Sequence, residues 1–330
     1  MNSCNNIKAK LSTIGLFQKM IIFFIFSIMV GKEVWAQGTL DTLYLQTDAI
    51  LSGADEILLR ACPVLKMTEE QRNRPLTSSV NNSQTPFMSP IFSQTALECG
   101  QASSICYTLT YELNRRRNLV NDNITKRYPS HFVWNFCNNG TNRGVSFMDT
   151  WQVVRTAGTP NVAQWGGAYS TGGFARWMSG YSNYYAAMQN RIVDFCAIPT
   201  DSPDGILTLK QWLHNRLNGE EYGGLANFYS THVPQGHEMQ KFLPQGTPCA
   251  GMYVVPSFTS NVNHAQTIVG YNDSIRWDYN GDGRYTNDVD INGDGRVDVK
   301  DWEIGGVIFC NSFGTGFSNG GYCFLPYKKL

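Results

Sequence analysis

Four residues that lie far apart in the chain have the side chains needed for acyl-transfer chemistry: Gln94, Cys99, His264 and Asn311. A cysteine thiol attacks a carbonyl carbon only after a base has taken its proton, and histidine is the usual base. The amide of Asn311 can fix the tautomer and the ring orientation of that histidine. The amide of Gln94 can donate a hydrogen bond to the oxyanion that forms during attack. The four residue types therefore predict a nucleophilic thiol site.

Taken singly, each of these residues has a plainer interpretation. An isolated cysteine is usually a small buried hydrophobic residue, and an isolated histidine or asparagine usually has a structural role. The order of all four and their local sequences favour the catalytic interpretation. Cys106 is an alternative nucleophile, but it falls two turns into a predicted helix, on its apolar side, with no glutamine at the required distance. We therefore predict that Cys99 is the nucleophile.

Two of the local sequences resemble the motifs of a known family. Residues 263–271 (NHAQTIVGY) are similar to the histidine motif of papain-like cysteine peptidases, and residues 311–322 (NSFGTGFSNGGY) resemble the asparagine motif and its glycine-rich hairpin. Phe313 stands where that family has a tryptophan over the His–Asn contact. The resemblance covers roughly residues 85–330 and implies that Asn263 and Phe313 border the substrate site.

The nucleophile region departs from the pattern of that family. The usual signature has a glutamine followed by a Cys-Gly-Ser-Cys-aromatic run, whereas Gln94 is followed five residues later by the single Cys99. ECGQAS also resembles the Cys-Gly-x-Ala start of bacteriocin-processing peptidases, although the asparagine motif favours the papain-like group. Gly140 and Gly144 faintly resemble the glycine-rich wall that binds substrate backbone. A plain turn is an equal alternative there, because Val145 stands where a second glycine is expected.

The spacing of the site residues locates an insertion. His264 and Asn311 follow Cys99 by 165 and 212 residues and lie 47 residues apart. The family pattern puts both about 130–150 residues after the cysteine, hence about 20 apart. The excess of roughly 30 residues corresponds to the segment 274–304.

This insertion has the spacing of a calcium-binding loop. Acidic or amide oxygens recur at loop positions 1, 3, 5, 9 and 12, with Gly295 at position 6; the five are Asp290, Asn292, Asp294, Asp298 and Asp301. Calcium takes six to eight oxygen ligands, and this spacing curls such side chains around one point. We therefore predict a calcium site.

A second loop begins twelve residues earlier, at Asp278, Asn280 and Asp282. Its position 12 is Val289, so we expect Asp288, or a shared Asp290, to close it. Eight acids and three bases between residues 278 and 303 leave a local charge of −5, whose repulsion bound calcium would relieve. The loops resemble those of dockerins, the calcium modules that bind cohesins. A twelve-residue repeat leaves no room for a helix between loops, so we predict a structural clamp that braces His264 and Asn311.

The elements around the site follow from hydrophobic spacing. A helix is predicted from Cys99 to about Asn118, with a buried stripe formed by Ala102, Ile105, Cys106, Leu109 and Leu113. Short β-branched and aromatic runs bounded by Gly and Asn dominate after residue 250. Helices first and strands later predict an α+β fold. The resemblance further implies two lobes, one helical and N-terminal, the other an antiparallel β-barrel-like C-terminal lobe. We interpret the remaining histidines as surface or structural residues: His131, His214, His232 and His237.

The N-terminus is typical of an export signal. Three lysines precede the apolar run 20–30, and residues 34–36 (VWA) offer small residues for cleavage after Ala36. A run of about eleven residues is too short for a membrane span of about twenty, although an uncleaved anchor is the alternative. Cleavage would remove Cys4 and leave eight cysteines, an odd seven if Cys99 is the nucleophile. Cys310 and Cys323 flank a predicted hairpin and are a candidate disulfide.

The domain prediction is a signal at residues 1–36, a pro-segment or N-terminal wrap at 37–85, and the peptidase domain at 86–330. Zero net charge and the lack of a long basic run argue against nucleic-acid binding. The predicted function is a secreted, periplasmic or surface cysteine endopeptidase with protein or peptide substrates, no stable membrane span after cleavage, and one or two structural Ca²⁺ ions. The alternatives are a dockerin-like binding module with a cohesin-like partner, an inactive scaffold, or another thiol acyltransferase or amidase.

Overall fold

The computed structural model describes residues 21–25, 53–230, 240–258 and 262–330, with the backbone alone at 21–25, 53–56 and Phe147. His232 and His237 lie outside the described residues. The helices are α1 Gly53–Ala61, α2 Glu69–Arg72, α3 from Cys99, α4 Ser130–Cys137, α5 Phe147–Thr156, α6 Val162–Trp165, α7 Tyr181–Met188 and α8 Pro203–Asn215. The strands are β1 Ile21–Ile25, β2 Ser79–Asn81, β3 Phe195–Pro199, β4 Ala226–Ser230, β5 Lys241–Phe242, β6 Tyr253–Val254, β7 His264–Arg276, β8 Ile304–Cys310 and β9 Tyr322–Pro326.

Helix α3 runs through the centre of the molecule. It is α-helical over Cys99–Gln101, π-helical over Ala102–Leu109 and α-helical again over Thr110–Arg117. Asn118 ends it in the left-handed conformation, with φ of 52°. The predicted helix and its apolar stripe are present, but the helix is buried on every side from Cys99 to Asn114. Helices α4 and α5 pack against it on the helical side of the molecule.

Polar side chains of α3 are satisfied inside the core. The Asn227 amide on β4 donates to Ser103 Oγ at 2.7 Å and to Thr108 Oγ1 at 2.8 Å. Thr267 on β7 donates to the Ser103 carbonyl at 3.0 Å. Buried polar groups are tolerated when they are hydrogen-bonded, so this network allows α3 to lie directly on the sheet.

In the described parts of the chain the sheet has nine strands in the order β3-β1-β4-β7-β8-β9-β6-β5, and β2 pairs with β7 off this path. Every described pair is antiparallel except β6 with β9. Its core contains Trp212 of α8, Phe228, Ile268 and Phe309. The predicted α+β class, with helices before a largely antiparallel sheet, is thus confirmed.

Strands β7 and β8 form the hairpin that matters most for the site. Thr267 pairs with Cys310 and Ile268 with Phe309, and a bulge then shifts the register so that Gly270 pairs with Ile308. A side chain on Gly270 would meet the Val80 carbonyl oxygen at 2.0 Å, so only glycine lets β2 approach here.

Residues 63–82, which precede Cys99, pack against this architecture. The Leu65 N–H donates to the Ala197 carbonyl at 2.9 Å, and the Ala197 N–H donates to the Pro63 carbonyl at 2.8 Å. The buried Asn82 amide donates to the carbonyls of Leu213 and Gly224, both at 2.9 Å. Residues 63–82 therefore contact β3, α8 and the loop after it.

Of the predicted export signal, the structure describes only Ile21–Ile25. Their backbone forms β1, which pairs with β3 along its length and with β4 at Phe23 and Asn227. In the described parts of the chain, no helix combines the length and the apolar character of a membrane span.

The cysteine pairing predicted for the last hairpin is wrong. Cys310 lies opposite Tyr322, and Cys323 lies opposite Phe309. Because neighbouring strand residues point to opposite faces, the two thiols lie in different parts of the core. All eight described cysteines are free thiols: Cys62, Cys99, Cys106, Cys137, Cys196, Cys249, Cys310 and Cys323.

Candidate active site

His264 and Asn311 meet at one end of the β7–β8 hairpin. His264 is the first residue of β7, and Asn311 directly follows the last residue of β8. The His264 Nε2 atom lies 2.8 Å from Asn311 Oδ1, and both side chains are buried. An amide oxygen can only accept, so Nε2 carries hydrogen and Nδ1 has the lone pair of the neutral ring. The structure thus gives His264 the tautomer of a base acting through Nδ1.

An aromatic ring covers this contact. The Phe313 ring stacks on the His264 imidazole with centroids 4.7 Å apart and planes 13° apart. Phe317 packs edge-on against Phe313 at 6.1 Å. Phe313 therefore lies where the predicted shield over the His–Asn contact should be. Asn263 is half-buried, and its N–H donates to the Ser230 carbonyl at 3.1 Å.

Cys99 begins helix α3 and is 5% exposed. Burial raises the pKa of its thiol to about 12, while hydrogen bonds from the backbone of Ala265 and Gly100 act in the opposite direction. The sulfur atom therefore lies beside the residue that follows His264. Burial destabilises a lone thiolate, so a neutral-pH nucleophile here requires a cation such as a protonated His264.

Gln94 is held by Ser312, the residue after Asn311. Its N–H donates to the Ser312 carbonyl at 2.8 Å, and the Ser312 hydroxyl donates to Gln94 Oε1 at 2.5 Å. The Gln94 Nε2 atom donates one hydrogen to the Ala96 carbonyl at 2.7 Å. An amide nitrogen has two hydrogens, so the second remains for an oxyanion. Ser312 was not among the predicted site residues, although its position after Asn311 in the motif was a signal.

Only one end of the segment that contains the predicted substrate-binding glycines lies next to the start of α3. Asn142 Oδ1 accepts from the Leu97 N–H at 2.9 Å. A side chain on Gly100 would meet the Val145 carbonyl oxygen at 2.4 Å, so the two backbones touch. Gly144 is buried at this contact, whereas Gly140 is exposed at the tip of the turn with φ of 68°. The structure thus brings the residue after Gly144 against the residue after Cys99, whereas Gly140 is exposed in the turn.

The alternative nucleophile lies inside the core. Cys106 is 0% exposed in the π-helical part of α3, and burial raises the pKa of its thiol well above the ordinary value. A thiol without solvent access is a poor nucleophile. This burial favours Cys99.

The inserted loops join the other end of the same hairpin, between Arg276 and Ile304. Asp278 accepts from the backbone N–H groups of Gly281 at 2.6 Å and Gly283 at 2.9 Å. Asp290 accepts from those of Gly293 at 2.7 Å and Gly295 at 2.8 Å. The two loops therefore have the same backbone path twelve residues apart. The residues at positions 3 and 5 match as well. Asn280 and Asp282 in the first loop, and Asn292 and Asp294 in the second, each accept from the backbone N–H two residues later.

A buried carboxylate closes each loop. Asp301 is 0% exposed and accepts from the N–H groups of Ile291, Asn292 and Asp298. Glu303 is 1% exposed, and its two oxygens accept from Tyr279 at 2.7 Å and Thr286 at 3.1 Å. Tyr279 and Thr286 are positions 2 and 9 of the first loop, so Glu303 has the place there that Asp301 has in the second.

This arrangement revises the expected closure of the first loop. Asp288 is exposed, and Asp290 bonds the amides of its own loop. Glu303 lies beyond both loops in sequence and was not among the predicted ligands. Asp298 caps the turn Val299–Asp301 by accepting from Lys300.

The donor set is compatible with calcium. Among the described residues, no group of three or more His, Cys, Asp or Glu side chains converges closely enough to hold an ion by itself. Calcium loops, however, also use amide and backbone oxygens, which both loops present at the required positions. Backbone N–H groups hold the buried carboxylates of Asp301 and Glu303, and Lys328 lies close enough to interact electrostatically with both.

Comparison with known proteins supports the fold. No protein-family model matches the chain, and no curated protein matches its sequence. Its structure is similar to that of xylellain, a cysteine protease from Xylella fastidiosa, with a TM-score of 0.55 and 15% identity over 87% of this chain and 93% of that one. The digestive procathepsin L 3 of the Tenebrio molitor larval midgut is 12% identical over 85% of this chain and 77% of its own, with a TM-score of 0.49. The stem bromelain precursor is 14% identical over 80% of this chain and 68% of its own, also with a TM-score of 0.49. The likeness to xylellain thus supports a papain-like fold for this chain.

Proposed function

We propose that this chain is an active cysteine endopeptidase, with Cys99 as nucleophile, His264 as base and Asn311 as its orienting partner. The observation that carries this proposal is the 2.8 Å contact between His264 Nε2 and Asn311 Oδ1, at the start of the strand that touches Cys99. Such a contact orders the imidazole for proton transfer through Nδ1.

In this mechanism the Cys99 thiolate, paired with the His264 imidazolium, attacks the substrate carbonyl carbon. The carbonyl oxygen becomes an oxyanion held by the Gln94 Nε2–H and the Cys99 backbone N–H. His264 then gives its proton to the leaving amine, and a thioester with Cys99 remains. Water, deprotonated by His264, attacks the thioester, and the thiol is regenerated. The substrate backbone would lie along Gly144.

The test is covalent labelling by an epoxide inhibitor of thiol proteases, followed by mass spectrometry of the modified peptide. Labelling should fall on Cys99 and vanish in Cys99→Ala. Cys106→Ala is the matched control, since it removes a thiol of the same helix and should retain labelling. A modified Cys106, or no modification of the folded chain, would contradict the proposal. Amine transfer to glutamine without peptide cleavage would favour an acyltransferase instead.

We further propose that the inserted loops bind calcium as a structural brace. Asp278, Asn280, Asp282 and Glu303 would hold one ion, and Asp290, Asn292, Asp294 and Asp301 a second, each with a backbone oxygen. The ions would fix the end of the hairpin that lies away from His264 and Asn311. Capture of a cohesin by a chain that shows no inhibitor labelling would favour the binding-module alternative.

Export is the third part of the proposal, and it rests on the sequence of residues 1–36. Cleavage after Ala36 would remove β1 from between β3 and β4. N-terminal sequencing of chain recovered outside the cytoplasm should give Gln37 as the first residue. A recovered chain that still begins at Met1 would contradict cleavage.

A further inference from the structure

Two helices fix the backbone on either side of Gly144. The indole N–H of Trp134 on α4 donates to the Arg143 carbonyl at 2.8 Å. The Gln101 Nε2 atom on α3 donates to the Val145 carbonyl at 3.3 Å. The carbonyl groups before and after Gly144 are therefore both held by side chains of the helical part of the molecule.

Gly144 itself lies in a stretch without helix or turn. In an extended backbone, the N–H and C=O groups of neighbouring residues point to opposite sides. Those of Gly144 are therefore turned away from Trp134 and Gln101. Gly144 is buried, and within the described parts of the chain neither group has a hydrogen-bond partner. A buried backbone group without a partner is costly, so this position favours a ligand that supplies a donor and an acceptor.

The neighbours of Gln101 determine which way its amide points. Gln101 is 0% exposed, and its Nε2 atom also donates to Thr150 Oγ1 at 2.7 Å. The Thr150 hydroxyl donates its own hydrogen to the Ser146 carbonyl at 3.0 Å, so its oxygen can only accept from Gln101. Both hydrogens of the Gln101 amide are thus used, one for Thr150 and one for Val145.

The oxygen of the same amide shows that stability alone does not explain this glutamine. Gln101 Oε1 is buried without a hydrogen-bond partner in the described part of the chain. Such an acceptor costs free energy, which an apolar side chain of similar length would avoid. The two donated bonds tie α3, two residues after Cys99, to α5 and to the backbone beside Gly144.

We propose that Gln101 is a positioning residue that holds the Gly144 backbone in place for pairing with a substrate. The attacked carbonyl becomes the oxyanion, so the paired residue is a neighbour of the attacked one. His264, on the sheet, receives the leaving amine, whereas Gly144 lies on the helical side, so the paired neighbour is on the acyl side. This inference rests on the proposed function of Cys99 and His264 and deepens it.

The experiment measures KM and kcat of Gln101→Met with two fluorogenic amides, an N-acetyl single residue and an N-acetyl dipeptide that ends in the same residue. Methionine keeps the length of the side chain and removes both donors. For the dipeptide, KM should rise about tenfold and kcat should stay within about threefold, because ground state and transition state lose the same contact. For the single residue, which has no complete neighbour to pair with Gly144, the rise in KM should be about threefold or less. Equal changes for the two amides, or an unchanged KM, would overturn the proposal.

Gln211→Met is the matched control. Gln211 on α8 is also a 0% exposed glutamine, and its amide donates to the Arg74 carbonyl at 2.8 Å. That variant should lower the melting temperature and leave both KM values unchanged. The same selective rise in KM in both glutamine variants would assign the effect to general loosening and contradict a positioning role. Trp134→Phe removes the other anchor and keeps an aromatic ring, so it should raise KM for the dipeptide even where Gln101→Met does not fold.

A readout without turnover distinguishes this inference from the proposed function. In Cys99→Ala labelled with ¹⁵N-glycine, titration with the N-acetyl dipeptide amide should shift the Gly144 amide signal. Adding Gln101→Met should weaken that binding about tenfold. A Gly144 signal that does not respond to the peptide would overturn the proposal. If the epoxide does not label wild type at Cys99 but the Gly144 shift is present and depends on Gln101, the catalytic assignment fails and the positioning role stands.

Discussion

The Cys99 thiol lies where ionisation is costly unless a cation accompanies it. Burial raises its pKa to about 12, and the neighbouring strand offers His264 as the accompanying group. A thiol is mostly thiolate above its pKa and mostly protonated below it. The rate at which Cys99 reacts at neutral pH therefore measures how strongly His264 stabilises the thiolate.

His264→Ala should consequently abolish alkylation of Cys99 by iodoacetamide near neutral pH. Because burial raises the pKa of the Cys99 thiol, the thiolate fraction of this variant should be small near neutral pH and should rise about tenfold per pH unit. The measurement is the alkylation rate between pH 6 and pH 11, followed by mass spectrometry. Wild type should react already at the acidic end. Equal rates for the two chains at pH 7 would show that His264 does not activate the thiol.

The Ser312 hydroxyl gives a second prediction at this scale. Because it donates to Gln94 Oε1 at 2.5 Å, it determines which way the amide points. Gln94→Ala should lower kcat by about 10²–10³-fold, as expected for loss of an oxyanion donor. Ser312→Ala should lower kcat by about tenfold, because the amide becomes free to rotate.

The double variant serves as the control for this pair. Without Gln94 the Ser312 hydroxyl has no amide to orient, so the double variant should match Gln94→Ala alone. Multiplicative losses would show that the two residues act independently.

Among the structural elements, residues 63–82 decide how the domain should be delimited. Strand β2 pairs with β7 from Ser79 to Asn81, and Asn82 then satisfies two carbonyl groups next to α8. We propose that residues 63–85 are a retained wrap rather than a removable pro-segment. Their removal would uncover the edge of the strand that carries His264.

Asn82→Ala tests the wrap. Two buried carbonyl groups would lose their donor, at about 1–3 kcal/mol each, so the free energy of unfolding should fall by roughly 2–6 kcal/mol. Urea denaturation followed by fluorescence measures this change. Asn73→Ala is the control, since Asn73 is exposed and its amide bonds the exposed Glu69. Equal stability of the Asn82 and Asn73 variants would contradict a structural wrap.

The sequence predicted helices and strands well where the local spacing of residues is sufficient to define them. The helix that begins at Cys99 and the strands that carry His264 and Asn311 follow from periodicity and flanking turns. The burial of α3 on every side does not follow from local spacing, because it depends on Asn227 and Thr267 from distant strands. Glu303 was missed for the same reason, since its loop partners lie 17 and 24 residues earlier in the chain.

The two buried carboxylates of the insertion lead to a matched set of variants. Glu303→Gln and Asp301→Asn should each remove one calcium ion from the binding stoichiometry, because each removes the closing charge of one loop. Isothermal titration calorimetry of the metal-free chain provides the count. Asp288→Asn is the control and should bind as wild type does. Loss of a site in Asp288→Asn, with Glu303→Gln intact, would restore the closure expected from sequence.

For the whole molecule, calcium should act on folding rather than on chemistry. A ligand that binds only the folded state stabilises it by about 2.7 kcal/mol at a hundred times its Kd. Chelation with EDTA should therefore lower the melting temperature, and activity should fall with it at temperatures near the transition. An unchanged melting temperature after chelation would end the brace proposal.

The β7–β8 hairpin has His264 and Asn311 at its open end and its long insertion at the tip. From His264 to Arg276 the strand spans twelve steps, which at about 3.3 Å per residue separates the two ends by roughly 40 Å. Other sequences can replace the tip as long as the pairing register of β7 and β8 is preserved. A chain in which a short turn replaces residues 278–303 would then be a catalyst indifferent to metal, and other sensor peptides could be grafted at the same point.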